Sequence, residues 1–301
     1  MSWSAAAPPR RPVLFVNPRS GGGRAVRAGV VDLARERGIA VVVLDASRPL
    51  RALIDEAVAG GADALGAAGG DGSQSAVAAA AAAHGLPFVC VPAGTRDHFA
   101  RDLGVDRRDP VGALDAFTDG LERRIDMGEV NGRTFLNNVS LGIYGDAVQQ
   151  AAYRDAKVRT LLATARAGLG PSAEAPGLRL VDDLGREHAQ LALVLVSNGP
   201  YALERPSAPG ARPALDSGRL GIIVLDGPGA GPHPPGRSWA ATSLDVSAPR
   251  PVHAGIDGEA VDLMPPLAFV IRPSALWVMI PARDASASSA PPQAARNPFR
   301  R

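Results

Sequence analysis

The residues best suited to chemistry lie in the turn Gly69-Gly70-Asp71-Gly72-Ser73, where a short apolar run gives way to an Ala-rich stretch with the composition of a helix. A strand that ends in glycines and reopens as a helix presents free backbone N–H groups at a helix N-terminus, a setting that suits a phosphate. Asp71 carries the wrong charge for that task unless a cation bridges it to the anion or it handles a proton. The bland alternative is a structural Gly turn with a helix-capping Asp. Two other polar loops follow apolar runs in the same way: Asn17-Pro18-Arg19-Ser20-Gly21-Gly22-Gly23 and Pro92-Ala93-Gly94-Thr95-Arg96-Asp97-His98. The first lacks both the spacing of a dinucleotide fingerprint and the lysine of a Walker loop, so by itself it specifies little. Loops at the carboxyl ends of parallel strands share one sheet edge, and on that ground Asn17, Asp71 and Thr95 are expected to face a common crevice.

The elements that would position these loops alternate in type. Strands are read at Pro12–Val16, Ile39–Leu44, Ala64–Ala68 and Pro87–Val91, with helices at Ala25–Arg37, Leu50–Ala59, Ser73–His84 and Pro110–Gly120. That alternation argues for an α/β domain on a parallel sheet. From Arg123 the pattern becomes one of short strands separated by turns such as Asp183-Leu184-Gly185 and Asp257-Gly258: Arg123–Glu129, Thr134–Ser140, Leu178–Asp182, Ala189–Ser197, Leu220–Leu225, Ser243–Val246 and Leu267–Arg272. A mainly antiparallel β-sandwich with one helical excursion, Ala147–Arg166, is expected there. Gly227–Gly236 is read as a loop and Asp284–Arg301 as a disordered tail. The domains are accordingly 12–122 and 123–274, with a tail over 284–301.

Composition narrows the function. The chain has 301 residues, a formal net charge of +2 and one cysteine. A near-neutral total gives no case for nucleic acid, and a single cysteine builds neither a disulfide nor a thiolate metal site and fits a cytoplasmic setting. Lys157 is the sole lysine, which excludes a lysine P-loop elsewhere. No run has the length of a membrane span, so membrane contact is expected to be peripheral, and neither a homodimer nor any other oligomeric state is legible. Several residues have an ordinary reading: Asp126, Asp216 and Glu259 as strand-end or turn acids, His98 as a cap or packing residue, Asn137-Asn138 as a backbone-satisfying turn, and Trp239 and Trp277 as core aromatics.

Taken in order, Asn17-Pro18 with Ser20-Gly21, Gly69-Gly70-Asp71-Gly72-Ser73, Pro92-Ala93-Gly94-Thr95 with Phe99-Ala100, Phe135-Leu136-Asn137-Asn138 with Gly142, and Asp257-Gly258-Glu259 resemble the motifs of the diacylglycerol kinase catalytic-domain family, which includes bacterial lipid kinases and sphingosine kinases. The resemblance runs from about Pro12 to Pro281 and implies an ATP-binding α/β domain followed by a β-sandwich, with the active site in the cleft between them. It further implies that a last strand, Ala275–Ile280, returns to complete the first domain over 275–283. By the same resemblance Asn17, Gly69, Gly70, Asp71, Gly72, Ser73, Gly94 and Thr95 would bind the nucleotide, Glu259 would be the general base, and Asp71 and Asp126 would support magnesium and the base. Asp216 would be a second metal ligand. The implied reaction is ATP- and Mg²⁺-dependent phosphorylation of a lipid hydroxyl such as that of diacylglycerol, at the inner membrane face. A nucleotide-binding regulator without catalysis and a kinase of a non-lipid alcohol stand as alternatives. The chain departs from the family at Asp97-His98, where relatives usually read Asn-Asp. It departs again at Asp216-Ser217-Gly218, where many bacterial relatives have Asp-Asp-Gly, and the segment Gly227–Gly236 is shorter than is common.

Overall fold

The run Pro12–Val16 is buried at every position, as a strand covered on both faces must be. In the computed structural model, which describes residues 3–142, 177–202, 212–227 and 237–289, it is β2, preceded by the two-residue strand β1 (Ser4–Ala5). With β3 (Ala40–Val43), β4 (Ala64–Gly69) and β5 (Pro87–Pro92) it forms a parallel sheet in the order β3-β2-β4-β5. The helices of this half are α1 (Arg24–Arg27), α2 (Val30–Glu36), α3 (Leu50–Ala59), α4 (Asp71–Ala83) and α5 (His98–Leu103). The single helix expected over Ala25–Arg37 is in fact two, because Gly29 adopts φ +71° and breaks the hydrogen-bonded ladder. The segment expected as a helix over Pro110–Gly120 is a short 3-10 helix, Gly112–Phe117.

The second half comprises β6 (Gly120–Val130), β7 (Arg133–Phe135), β8 (Asn138–Gly142), β9 (Leu178–Asp182), β10 (Glu187–Asn198), β11 (Leu220–Asp226), β12 (Arg237–Ala241), β13 (Ser243–Ser247), β14 (Val252–Ile256), β15 (Glu259–Leu263) and β16 (Leu267–Pro281). Its pairings with one another are antiparallel. Strand β10 is irregular between His188 and Leu191, with Gln190 at φ +54°. That bulge lets its first part pair with β9 while the rest lies between β8 and β11. The strands β12, β14 and β15 are additions to the sequence reading. The expected helix over Ala147–Arg166 and all but the first residue of the loop Gly227–Gly236 fall outside the described residues, as does the chain from 290 onward. The start of the expected disordered tail is instead helical: α6 spans Ala282–Ser289, and its first turn is anchored where Asp284 accepts the Asp106 N–H at 3.3 Å. No helix among the described residues is long and apolar enough to cross a membrane.

Strand β16 joins the halves. It pairs in parallel with β5 through Trp277–Met279 and antiparallel with β6 along nearly its whole length. Its first part gives Leu267, Phe269 and Ile271 to the second core, and its last part gives Leu276, Val278 and Ile280 to the first. Between these lies a bulge with Ser274 at φ +54°. Phe269 is buried and meets Phe135 edge to face at 6.5 Å. Phe269→Ala is therefore expected to cost about 3–5 kcal/mol, read as a lowered urea midpoint; an unchanged midpoint would contradict this packing.

Candidate active site

The phosphate-type turn forms where β4 ends. Gly70 is the extended N-cap of α4, with no side-chain cap, and the first helical bond runs from Gln74 N–H to Gly70 O at 3.1 Å. The N–H groups of Asp71, Gly72 and Ser73 consequently have no partner within the helix and are free to meet an anion. The expected convergence of three loops is present and is made by backbone contact. A Cβ on Gly94 would stand 2.5 Å from Gly70 Cα, and one on Gly21 would stand 2.6 Å from Ala93 O. Only residues without side chains pack this closely, which explains the glycines in terms of loop seating as well as phosphate approach. Asn17 donates from Nδ2 to Ser73 Oγ at 3.3 Å, and Thr95 is exposed on the third loop. Asn17, Gly69, Gly70, Gly72, Ser73 and Gly94 therefore belong to one cradle.

Asp71 accepts long hydrogen bonds from the N–H groups of Phe99 and His98, at 3.3 and 3.5 Å, at the start of α5, and its Oδ2 lies 3.6 Å from His98 Nδ1. It is therefore held beside the cradle without being sequestered. Among the described residues no three Asp, Glu, His or Cys side chains form a metal-binding group. Magnesium in phosphotransferases is commonly held by one or two carboxylates plus substrate phosphates, and a lone carboxylate at the edge of a phosphate cradle fits that donor set. Asp216, the other expected metal ligand, is half-buried in the turn before β11.

The second half meets the cradle through the β14–β15 turn. Asp257, at φ +49° in the β14–β15 turn, accepts the N–H groups of Leu136, Asn137 and Asn138 at 2.8, 2.7 and 3.0 Å and the hydroxyl of Ser75 on α4. Two residues on, Glu259 opens β15 and reaches the first turn of α4: a Cβ on Gly72 would stand 3.2 Å from Glu259 Oε1. Its other oxygen is 3.8 Å from Arg133, and its side chain is 63 % exposed. Asp126 is held by backbone on both sides. Its two oxygens accept Ser274 N–H at 2.9 Å and Gly218 N–H at 2.6 Å, so this buried carboxylate pins the β16 bulge. Sequence reasoning missed Ser75, Asp102 and Arg212, which bond across this junction, and Asn198, which donates to Asp126 O and Leu136 O within the second half. No local pattern marks them, because neither burial nor partners far away in the chain are visible in sequence.

Comparison with known proteins follows the same outline. The family model for the diacylglycerol kinase catalytic domain matches residues 11–130. The chain is 31 % identical over 291 residues to a Pseudomonas aeruginosa protein named "Probable lipid kinase YegS-like", covering 90 % of this chain and 94 % of that one. It is 36 % identical over 120 residues to a diacylglycerol kinase of Mycobacterium tuberculosis, a match spanning 38 % of this chain and 39 % of that protein. The crystal structure of a diacylglycerol kinase from Bacillus anthracis superposes with a TM-score of 0.65 at 18 % identity, covering 92 % of this chain and 99 % of that one, which shows the fold.

Asp97 gives the site a titratable element. It is 2 % exposed, accepts Gly94 N–H at 2.8 Å and lies 3.5 Å from Arg24. Burial, aided by the charge of Asp71 and opposed by the Gly94 N–H and Arg24, raises its pKa from 3.8 to about 6. The folded state thus holds this proton more tightly than the unfolded chain, and stability falls as pH rises from about 4 to about 6 and stays lower above that. Asn keeps an acceptor for Gly94 and tolerates the φ of +49° at this position. In urea unfolding, Asp97→Asn should gain on the wild type through that pH window, reaching roughly 2–3 kcal/mol at pH 7; a difference independent of pH would contradict the assignment.

Proposed function

The chain belongs to the diacylglycerol kinase catalytic-domain family, and from that premise we propose that it transfers the γ-phosphate of ATP to the hydroxyl of a lipid such as diacylglycerol. The observation that carries this reading is the meeting of two functions at one point. The first turn of α4 offers unpartnered N–H groups, and Glu259 from the other half stands against its Gly72. Phosphoryl transfer asks a protein mainly for alignment and charge neutralisation, so this is a sufficient frame. Bound magnesium would neutralise phosphate charge, with Asp71 as its protein ligand.

The residues then divide the work. The glycine cradle with Asn17, Ser73 and Thr95 holds the nucleotide phosphates, and the fixed N–H groups stabilise charge on them. Glu259, exposed at the cleft, takes the proton of the incoming hydroxyl at a carboxylate oxygen. Asp126 acts at one remove, through the bulge that sets the path of β16. The acceptor lipid is met at a membrane surface, to which the protein binds peripherally at the inner face. Incubation with labelled ATP, Mg²⁺ and a panel of lipids in vesicles should yield a labelled phospholipid. Absence of transfer to every lipid hydroxyl, with ATP still bound, would reject this reading in favour of a nucleotide-binding protein without catalysis.

A further inference from the structure

Four buried or half-buried side chains outside the proposed chemistry, Ser75, Asp257, Arg212 and Asp102, lie on a closed path that starts from Asp71. Asp71 and Ser75 are four residues apart on α4, hence one turn apart on the same face. Ser75 donates its hydroxyl to Asp257, and Asp257 accepts the N–H groups of Leu136, Asn137 and Asn138. The carbonyls of that same turn are held by Arg212: its guanidinium bonds Leu136 O at 2.5 Å and Asn137 O at 3.0 Å, and Asn137 Oδ1 at 2.8 Å. Arg212 Nε then reaches Asp102 Oδ2 at 2.7 Å, and both side chains are 1 % exposed. Asp102 is on α5, one turn after His98 and near Phe99, whose backbone N–H groups bond Asp71. The path ends where it began.

We propose that Ser75 and Arg212 are positioning residues that close a hydrogen-bonded circuit through both domains, holding Glu259 over the first turn of α4. The role in phosphate transfer rests on the kinase reading above, whereas the circuit itself does not. Four features carry it. The circuit crosses the domain boundary twice, at Ser75–Asp257 and at Asp102–Arg212. Each crossing involves a carboxylate, and charge-assisted hydrogen bonds are the stronger kind. Arg212 also bonds Asn198 O at 3.1 Å, so its planar fork meets several acceptors at once, which a lysine cannot reproduce. Finally, the turn that the circuit grips on both its N–H and its C=O sides is the one that Asp257 clasps, two residues before Glu259.

The test uses the full chain and compares amide hydrogen exchange, ATP affinity and lipid phosphorylation in wild type, Ser75→Ala, Ser75→Thr and Arg212→Lys. Removing one hydrogen bond to a charged group should speed exchange of the Leu136–Asn138 amides about tenfold or more in Ser75→Ala. Because the path is closed, the Phe99 amide on its far side should also exchange faster. The same variant should lose about tenfold in kcat with KM for ATP unchanged, and Ser75→Thr should restore both readouts. Arg212→Lys should reproduce the exchange pattern without rescue. Acceleration confined to residues 136–138, with Phe99 unmoved, would overturn the circuit and leave a local bond. Faster exchange at both places with an unchanged kcat would overturn the positioning role. A wild type that phosphorylates no lipid would reject the kinase reading, and the exchange pattern alone would then uphold or overturn the circuit.

Discussion

The junction of the two halves depends on one carboxylate. Asp257 takes three successive backbone N–H groups from the turn before β8 and a hydroxyl from α4, so a single side chain joins that turn of the second half to the helix that opens at the glycine cradle. Burial pushes its pKa up while those four donors pull the other way. Without it, three N–H groups at the junction would lack their partner, a cost of order 1–3 kcal/mol for each one left buried. Its left-handed backbone also turns the chain so that Glu259 begins β15 beside Gly72.

A second constraint sets the domains on a common frame. Strand β16 contributes to both cores, and its bulge at Ser274 is fixed by Asp126, which also holds Gly218. A strand that runs through two cores transmits orientation better than a flexible linker would. The glycine contacts at Gly21, Gly70 and Gly94 then place the cradle at one end of that frame with no side chain intervening. The meeting of the cradle with Glu259 is thus the product of a shared strand, a pinned bulge and a clasped turn.

Much of this was legible in the sequence, for reasons that differ by element. The strands β2, β4 and β5 read as short apolar runs ended by glycine-rich turns, and the convergence of their loops follows from parallel topology alone. The break at Gly29 was hidden because an isolated glycine inside an apolar helical pattern carries no sign of its φ. Strands β14 and β15 were missed because they are short, and β15 is an edge strand with mostly exposed residues. The greatest gap concerned partners far apart in the chain. Asp257 reads as a turn residue, yet its hydrogen-bond partners are 119 to 182 residues away. Asp126 likewise reads as a strand-end acid, and nothing in the sequence shows that its two oxygens accept the N–H groups of Ser274 and Gly218.

What gives the molecule its proposed activity is the division between a donor cradle in one half and a base carried on the other. That claim is most directly tested by Glu259→Gln, which preserves size and removes the proton acceptor, with transfer and ATP affinity measured side by side on the same preparation. Loss of transfer by about 10²–10⁴-fold with ATP affinity unchanged is the result predicted for a general base acting on the acceptor alone. Full transfer by that variant would contradict it.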